Sequence, residues 1–242
     1  MAQSFIENGY EVIEHHEKAD VYVINTCTVT NMSDRKSRQM LRRVKELNPK
    51  SIVVACGCYV QVAKDEVAKI DDIDLILGNN EKKEIVKYVE EFEKEHKKRA
   101  IIKDLMKQVE YVDFGDITYT EKVRAVIKIQ DGCDRFCSYC IIPFARGRVR
   151  SRTSEAILSE INKIAKEGIK EVVLTGIHVA SYGKDFKENY RLIDLLEDIN
   201  KVKGIERIRL SSIEPLIIDE EFINRLTKLE KICHNFHLSL QS

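Results

Sequence analysis

Short apolar runs alternate along this chain with longer stretches whose apolar positions recur every three or four residues, the mark of strands followed by helices. Residues 2–9 have the shape of a helix's last turns, closed by Gly9 at the C-cap. Apolar runs at 11–13 and 19–25 predict strands, and a basic helix over 33–47 is ended by Asn48-Pro49. A buried strand at 51–55, a helix over 60–70, a strand at 74–79 and an amphipathic helix over 81–95 follow. The Lys/Glu-rich stretch 81–98 reads as solvated. Short strands between longer helices predict an open parallel α/β sheet over residues 1–95.

Residues 96–120 read as a linker with one short strand, and the βα rhythm restarts at 121 and runs to 242. Strands are expected at 124–130, 171–176, 206–212 and 235–240, with helices at 154–168, 191–202 and 219–229. Both ends of the chain interrupt an element, so a piece of a longer protein is expected. In parallel sheets ligands gather beyond the carboxyl ends of the strands. Cys27 and Cys58 each follow a predicted strand there.

The chain has 242 residues with 40 basic and 40 acidic side chains, so no global field draws nucleic acid and any RNA contact must come from local patches. Two such patches are candidates. Arg35, Arg38 and Arg42 lie at i, i+3, i+7 on one helix face, and Arg146, Arg148, Arg150 and Arg152 alternate along one segment. A solvated basic face is the plain alternative for both. Seven cysteines without a secretory leader argue for metal ligation in a reducing compartment, hence the cytoplasm, and no apolar run reaches the length of a membrane span.

Three of the cysteines crowd one polar loop, Gly132-Cys133-Asp134-Arg135-Phe136-Cys137-Ser138-Tyr139-Cys140, as C-x3-C-x2-C. Soft thiolates suit iron–sulfur clusters or zinc. A zinc site usually closes with a fourth Cys or His nearby, and none follows; His178, the next histidine, is on another element. Three ligands leave one iron of a [4Fe–4S] cluster open to a substrate. Zinc binding and redox cysteines remain the alternatives on spacing alone. Cys56 reads as a core thiol with substitute ligation as the alternative, and Cys233 as a structural thiol.

The C-x3-C-x2-C loop with Tyr139 before its last cysteine resembles the radical S-adenosylmethionine (SAM) enzymes. Together with Asn25-Thr26-Cys27, Gly57-Cys58-Tyr59, Pro143-Phe144-Ala145-Arg146-Gly147-Arg148, Leu174-Thr175-Gly176, Ser212-Ile213-Glu214-Pro215 and Leu240-Gln241-Ser242, it is similar to the radical SAM methylthiotransferases over essentially the whole chain. The closest likeness is to the bacterial members that convert N6-threonylcarbamoyladenosine beside the tRNA anticodon to its 2-methylthio form. The resemblance implies an N-terminal sheet domain and a (βα)6 partial TIM-like barrel, here incomplete and without the C-terminal RNA-binding (TRAM) domain. It implies two [4Fe–4S] clusters. One sits on Cys133, Cys137 and Cys140 and binds SAM; the other sits on Cys27, Cys58 and a third cysteine that falls ahead of this chain. Two SAM molecules would be consumed, one cleaved to a 5′-deoxyadenosyl radical that attacks C2 and one methylating the inserted sulfur. Implied SAM contacts are Tyr139, Thr175, Gly176, Glu214 and Gln241. The partners implied are tRNA and a flavodoxin or ferredoxin electron donor, for a monomeric enzyme. Methylthiolation of isopentenyladenosine in tRNA, or of a ribosomal-protein aspartate, is the alternative within the family.

Overall fold

The computed structural model describes residues 1–14, 16–28, 31–115 and 123–240. The chain divides into two units, Met1–Lys107 with Phe136–Arg146, and Gln108–Arg135 with Gly147–Ser242.

The first unit contains α1 (Ala2–Glu7), β1 (Val21–Thr26), α2 (Asn31–Leu47), β2 (Ile52–Gly57), α3 (Cys58–Val62), α4 (Lys64–Val67), β3 (Leu75–Leu77), α5 (Ile85–Glu95), β4 (Arg99–Ile101) and α6 (Ile142–Arg146). Its four strands run parallel in the order β1-β2-β3-β4. The period-2 side-chain alternation sorts β2 onto two cores. Val53 and Ala55 pack with Tyr22, Leu41 and Val44, while Val54 and Cys56 pack with Phe5, Leu75, Leu77, Ile85 and Val89.

Four sequence expectations change here. Residues 11–13 form no strand, and Val12 and Ile13 are exposed. The helix expected over 60–70 breaks at Ala63, whose φ −110, ψ 38 leave the helical region. The helix read as solvated buries Ile85, Val86 and Val89, because its apolar residues share one face under the sheet. Residues 99–101, inside the expected linker, pair with β3 and complete the sheet. Residues 116–120 of that linker lie outside the described residues.

The second unit contains β5 (Arg124–Asp131), β6 (Arg150–Ser151), α7 (Ser154–Lys166), β7 (Glu171–Gly176), α8 (Leu192–Asn200), β8 (Arg207–Leu210) and α9 (Glu220–Leu226). The sheet order is β6-β5-β7-β8, with β6 antiparallel and the others parallel. The isoleucines of α7 (Ile157, Ile161, Ile164) and the leucines of α8 bury against Ile127, Ile129, Val172, Leu174 and Ile208. α7 and α9 begin where a side chain answers a free backbone donor: Thr153 accepts from Ala156 N, and Asp219 accepts from Phe222 N. The strand expected at 235–240 reduces to an isolated parallel bridge between Ile213 and Leu238. The β5-β7-β8 run forms a curled, half-barrel sheet, and both units are α/β.

Candidate active site

In the first unit β1 and β2 end together, Thr26 paired with Gly57, so Cys27 and Cys58 each follow the last rung of neighbouring parallel strands. Gly57 takes φ 102, and a Cβ there would lie 2.2 Å from Thr26 O. Only glycine permits that approach, which turns the chain directly into α3 with Cys58 as its first residue. The Thr26 hydroxyl fastens the turn, donating to Cys56 O (2.6 Å) and accepting from Val60 N (3.3 Å). Cys27 is exposed and Cys58 is buried, 5% accessible. Arg146, last residue of α6, directs Nε at Cys58 Sγ (3.1 Å). Asn79, just past β3, lies 3.9 Å from the same sulfur through Nδ2, which also donates to Ala145 O (2.8 Å). Cys56 turns into the core, where burial pushes its thiol up to about 11 and the Lys82 ammonium only partly opposes this. Its sulfur lies 3.8 Å from Asn25 Oδ1, a protonated thiol's contact.

In the second unit β5 delivers Gly132-Cys133. Gly132 has φ 75, and a Cβ there would come within 1.8 Å of Arg148 O. Cys133 is buried, its N–H donating to Gly147 O at 3.0 Å. Gln130, fully buried, donates through Nε2 to the carbonyls of Asp131 (2.7 Å) and Gly132 (2.6 Å) and accepts from His178 N (2.8 Å). One side chain thus ties the start of the cysteine loop to the exit of β7. Asp131 is held by Lys128 (2.6 Å) and faces Arg150 (3.9 Å).

Cys137 and Cys140 belong to the first unit. Both are half-buried and joined by a turn in which Cys140 N donates to Cys137 O (2.9 Å). Phe136 enters this segment at φ 47, a left-handed conformation uncommon for a bulky residue, and its ring meets Phe144 edge-on. Tyr139 is 73% exposed.

Thr175 and Gly176 end β7 half-buried, with Gly176 paired to Gln130. The Glu214 carboxylate is engaged within the protein, 2.8 Å from Arg135 Nη2 and 2.9 Å from His178 Nε2. Burial opposes its ionisation, but bonds from His178 and Arg135 hold its pKa below the ordinary carboxylate value. Gln241 and Ser242 lie outside the described residues. The expected arginine patches separate. Arg35 and Arg42 are exposed, but Arg42 lines a groove whose walls include Asp71, Asp72 and Asp74. Arg38 donates to Tyr59 Oη (3.2 Å) and lies over that ring. Arg146 meets a cysteine rather than solvent, and Arg148 is exposed beside Asp134 (3.6 Å). Arg150 and Arg152 are buried, Arg152 bonding Asp113 (2.7 Å) and Glu160. The four alternating arginines therefore do not share one solvent face.

Asn79 and Gln130 were given no role by the sequence. Asn79 follows a strand in the same way as the cysteines, which was its only signal. Gln130 begins the cysteine stretch but looks like any polar strand end. Thiolates are the ligands that soft metal centres take, and three cysteines share the loop after β5 while two more follow adjoining strand ends, Cys58 facing a cation and an amide. Among the described residues no three His, Cys, Asp or Glu side chains are grouped closely enough to hold a metal ion.

Two family models match, "Uncharacterized protein family UPF0004" over residues 1–78 and "Radical SAM superfamily" over residues 127–242. The chain is 45% identical over 242 residues to the threonylcarbamoyladenosine tRNA methylthiotransferase MtaB of Aquifex aeolicus, covering 100% of this chain and 58% of that protein. It is 40% identical over 241 residues to the Bacillus subtilis protein of the same name, covering 99% and 53%. A tRNA-2-methylthio-N(6)-dimethylallyladenosine synthase of Clostridium botulinum is 34% identical over 242 residues, covering 98% and 53%. The chain thus spans little more than half the length of these relatives. Among solved structures, the radical S-adenosylmethionine methyltransferase TsrM from Kitasatospora setae aligns with TM-score 0.59 over 89% of this chain and 49% of that one at 16% identity, a likeness of fold. With both family models matched in order and such relatives aligned to it end to end, the chain is similar along its whole length to the tRNA methylthiotransferases, and its residues 127–242 match the radical SAM superfamily.

Proposed function

We propose that the protein acts as a tRNA methylthiotransferase, converting N6-threonylcarbamoyladenosine beside the anticodon to its 2-methylthio derivative. The observation that carries this reading is the presence, in one chain, of a three-cysteine loop launched from β5 and two cysteines side by side at the ends of β1 and β2. The names of the Aquifex and Bacillus relatives support the threonylcarbamoyl substrate.

In this reading Cys133, Cys137 and Cys140 would hold a [4Fe–4S] cluster that binds SAM, and Cys27 and Cys58 would be two ligands of a second cluster. When bound, these groups supply one-electron chemistry strong enough to attack the unreactive C2–H bond of adenine, which no side chain supplies. The protein's part is placement. Gly132 and Gly57 turn Cys133 and Cys58 out of their strands, and Gln130 fixes the loop to the end of β7, where Thr175 and Gly176 are available to SAM. Tyr139, 73% exposed, presents a ring for ligand stacking. Glu214, kept ionised by Arg135 and His178, supplies an acceptor for SAM hydroxyl or amino groups, with Gln241 as the further family-implied contact. Arg35, Arg42 and Arg148 are the exposed cations left for tRNA phosphate. No described helix is long and apolar enough to cross a membrane. We assign the enzyme to the cytoplasm, as a monomer reduced by a flavodoxin or ferredoxin.

The test uses full-length protein, reduced anaerobically with SAM and given tRNA carrying threonylcarbamoyladenosine, dimethylallyladenosine-bearing tRNA, or the ribosomal aspartate substrate. The 2-methylthio product from the first alone is expected. Product from either of the others instead would move the substrate, and absence of 5′-deoxyadenosine in every arm would overturn the enzyme class.

A further inference from the structure

Cys58 Sγ is approached by two donors from different parts of the first unit. Arg146 Nε is 3.1 Å away, and Asn79 Nδ2 is 3.9 Å away. Asn79 is 4% accessible and its amide is oriented by Ala145 O (2.8 Å) and its backbone by Gln61 Oε1 (3.0 Å), so it does not rotate freely to another partner. Its Oδ1 is buried without a hydrogen-bond partner. An orphaned carbonyl oxygen is a cost, and the amide keeps this orientation because its NH2 faces both Ala145 O and the sulfur. Arg146 is the last residue of α6, directly before Gly147, whose φ of 76 turns the chain away, so the guanidinium is set by the helix end rather than by a flexible segment. A guanidinium N–H and an amide N–H converging on a buried sulfur suit a thiolate or a metal-bound thiolate better than a neutral thiol, which accepts weakly.

We propose that Arg146, with Asn79 as its lesser partner, is a positioning residue of the N-terminal iron–sulfur cluster. It aims Cys58 at the metal and raises the cluster's reduction potential through an N–H···S bond. The inference rests on the reading of Cys58 as a cluster ligand. Hydrogen bonds to ligand sulfurs favour the more negative, reduced state, so the potential rises when they are present. Arg146 therefore acts inside the protein on a sulfur, and tRNA phosphate is left to other cations.

The test isolates that cluster in full-length protein carrying Cys133→Ala, Cys137→Ala and Cys140→Ala, reconstituted anaerobically. Iron is counted, and the midpoint potential is read by dye-mediated titration followed by electron paramagnetic resonance. Arg146→Ala is expected to shift the potential negative, Arg146→Lys to recover part of the shift because it keeps the charge but not the fork, and Asn79→Ala to give a smaller negative shift. An unchanged potential in both Arg146 variants, with iron retained, would overturn the proposal. If Arg146→Ala loses its iron, Arg146→Lys and Asn79→Ala decide by the same criterion. No iron in the parent triple variant would instead remove Cys58 as a ligand, and the proposal with it.

Discussion

Two Gly-Cys steps end two parallel strands, Gly57-Cys58 after β2 and Gly132-Cys133 after β5, and they are secured by different physics. Each glycine is left-handed with a backbone carbonyl where a Cβ would be, Thr26 O at 2.2 Å and Arg148 O at 1.8 Å. Around Gly57 the fastenings of the backbone turn are neutral: the Thr26 hydroxyl, the pairing of β1 with β2 and apolar packing on both faces of the sheet, while the Arg146 cation meets the Cys58 sulfur rather than the turn. Around Gly132 they are charged and amide-rich: Gln130, Lys128–Asp131, Arg135–Glu214–His178 and the buried Arg152–Glu160 pair. The same backbone device can be locked by core packing or by a polar network. The choice decides which perturbations release it.

The largest effect is expected from Arg152→Ala, which leaves the buried Glu160 carboxylate without its cation and costs about 3–5 kcal/mol. Urea unfolding with a probe in each unit should show the loss in the second unit, with the first unit's midpoint unchanged. Gly132→Ala and Gly57→Ala come next, each costing about 1–3 kcal/mol of backbone strain, Gly132 the more because its carbonyl is nearer. Iron counts should separate them, Gly132→Ala emptying the C-x3-C-x2-C site alone. Thr26→Val removes a donated and an accepted bond at the first sheet's end and should cost about 1–3 kcal/mol by thermal melting, leaving iron on the loop cysteines intact. The smallest effect is a pH dependence at Glu171. Its bonds from Arg207 and Arg209 depress its pKa, so its contribution is complete above the usual Glu value and fades as pH falls through the lowered one. Unfolding of wild type against Glu171→Gln between neutral and acid pH should show the difference close as pH falls; a gap that widens would contradict it.

Much of this was legible in the sequence. The apolar runs marked six of the eight strands because each is buried enough for composition to show; β4 was half-seen as a short strand in a linker, and the two-residue β6 was not marked. The run at 11–13 looked the same yet stays exposed, since Val12 and Ile13 alone bury too little to order a strand. Cys27, Cys58 and the C-x3-C-x2-C loop were visible because spacing and strand ends are local properties. Arg146 against Cys58 joins residues 88 positions apart, and nothing local distinguishes Arg146 from Arg148 beside it. Alternation suggested one face for four arginines, whereas a turn at Gly147 and the short β6 strand send them to a sulfur, to solvent and into the core.

The most direct test of the central claim is iron and acid-labile sulfide per chain after anaerobic reconstitution, comparing wild type with the Cys133→Ala/Cys137→Ala/Cys140→Ala variant. Loss of about four irons per chain in the variant is the expected result for one [4Fe–4S] cluster on those thiols. An iron content indifferent to the variant, or zinc in place of iron, would contradict the assignment of this loop as the site where SAM is bound and cleaved.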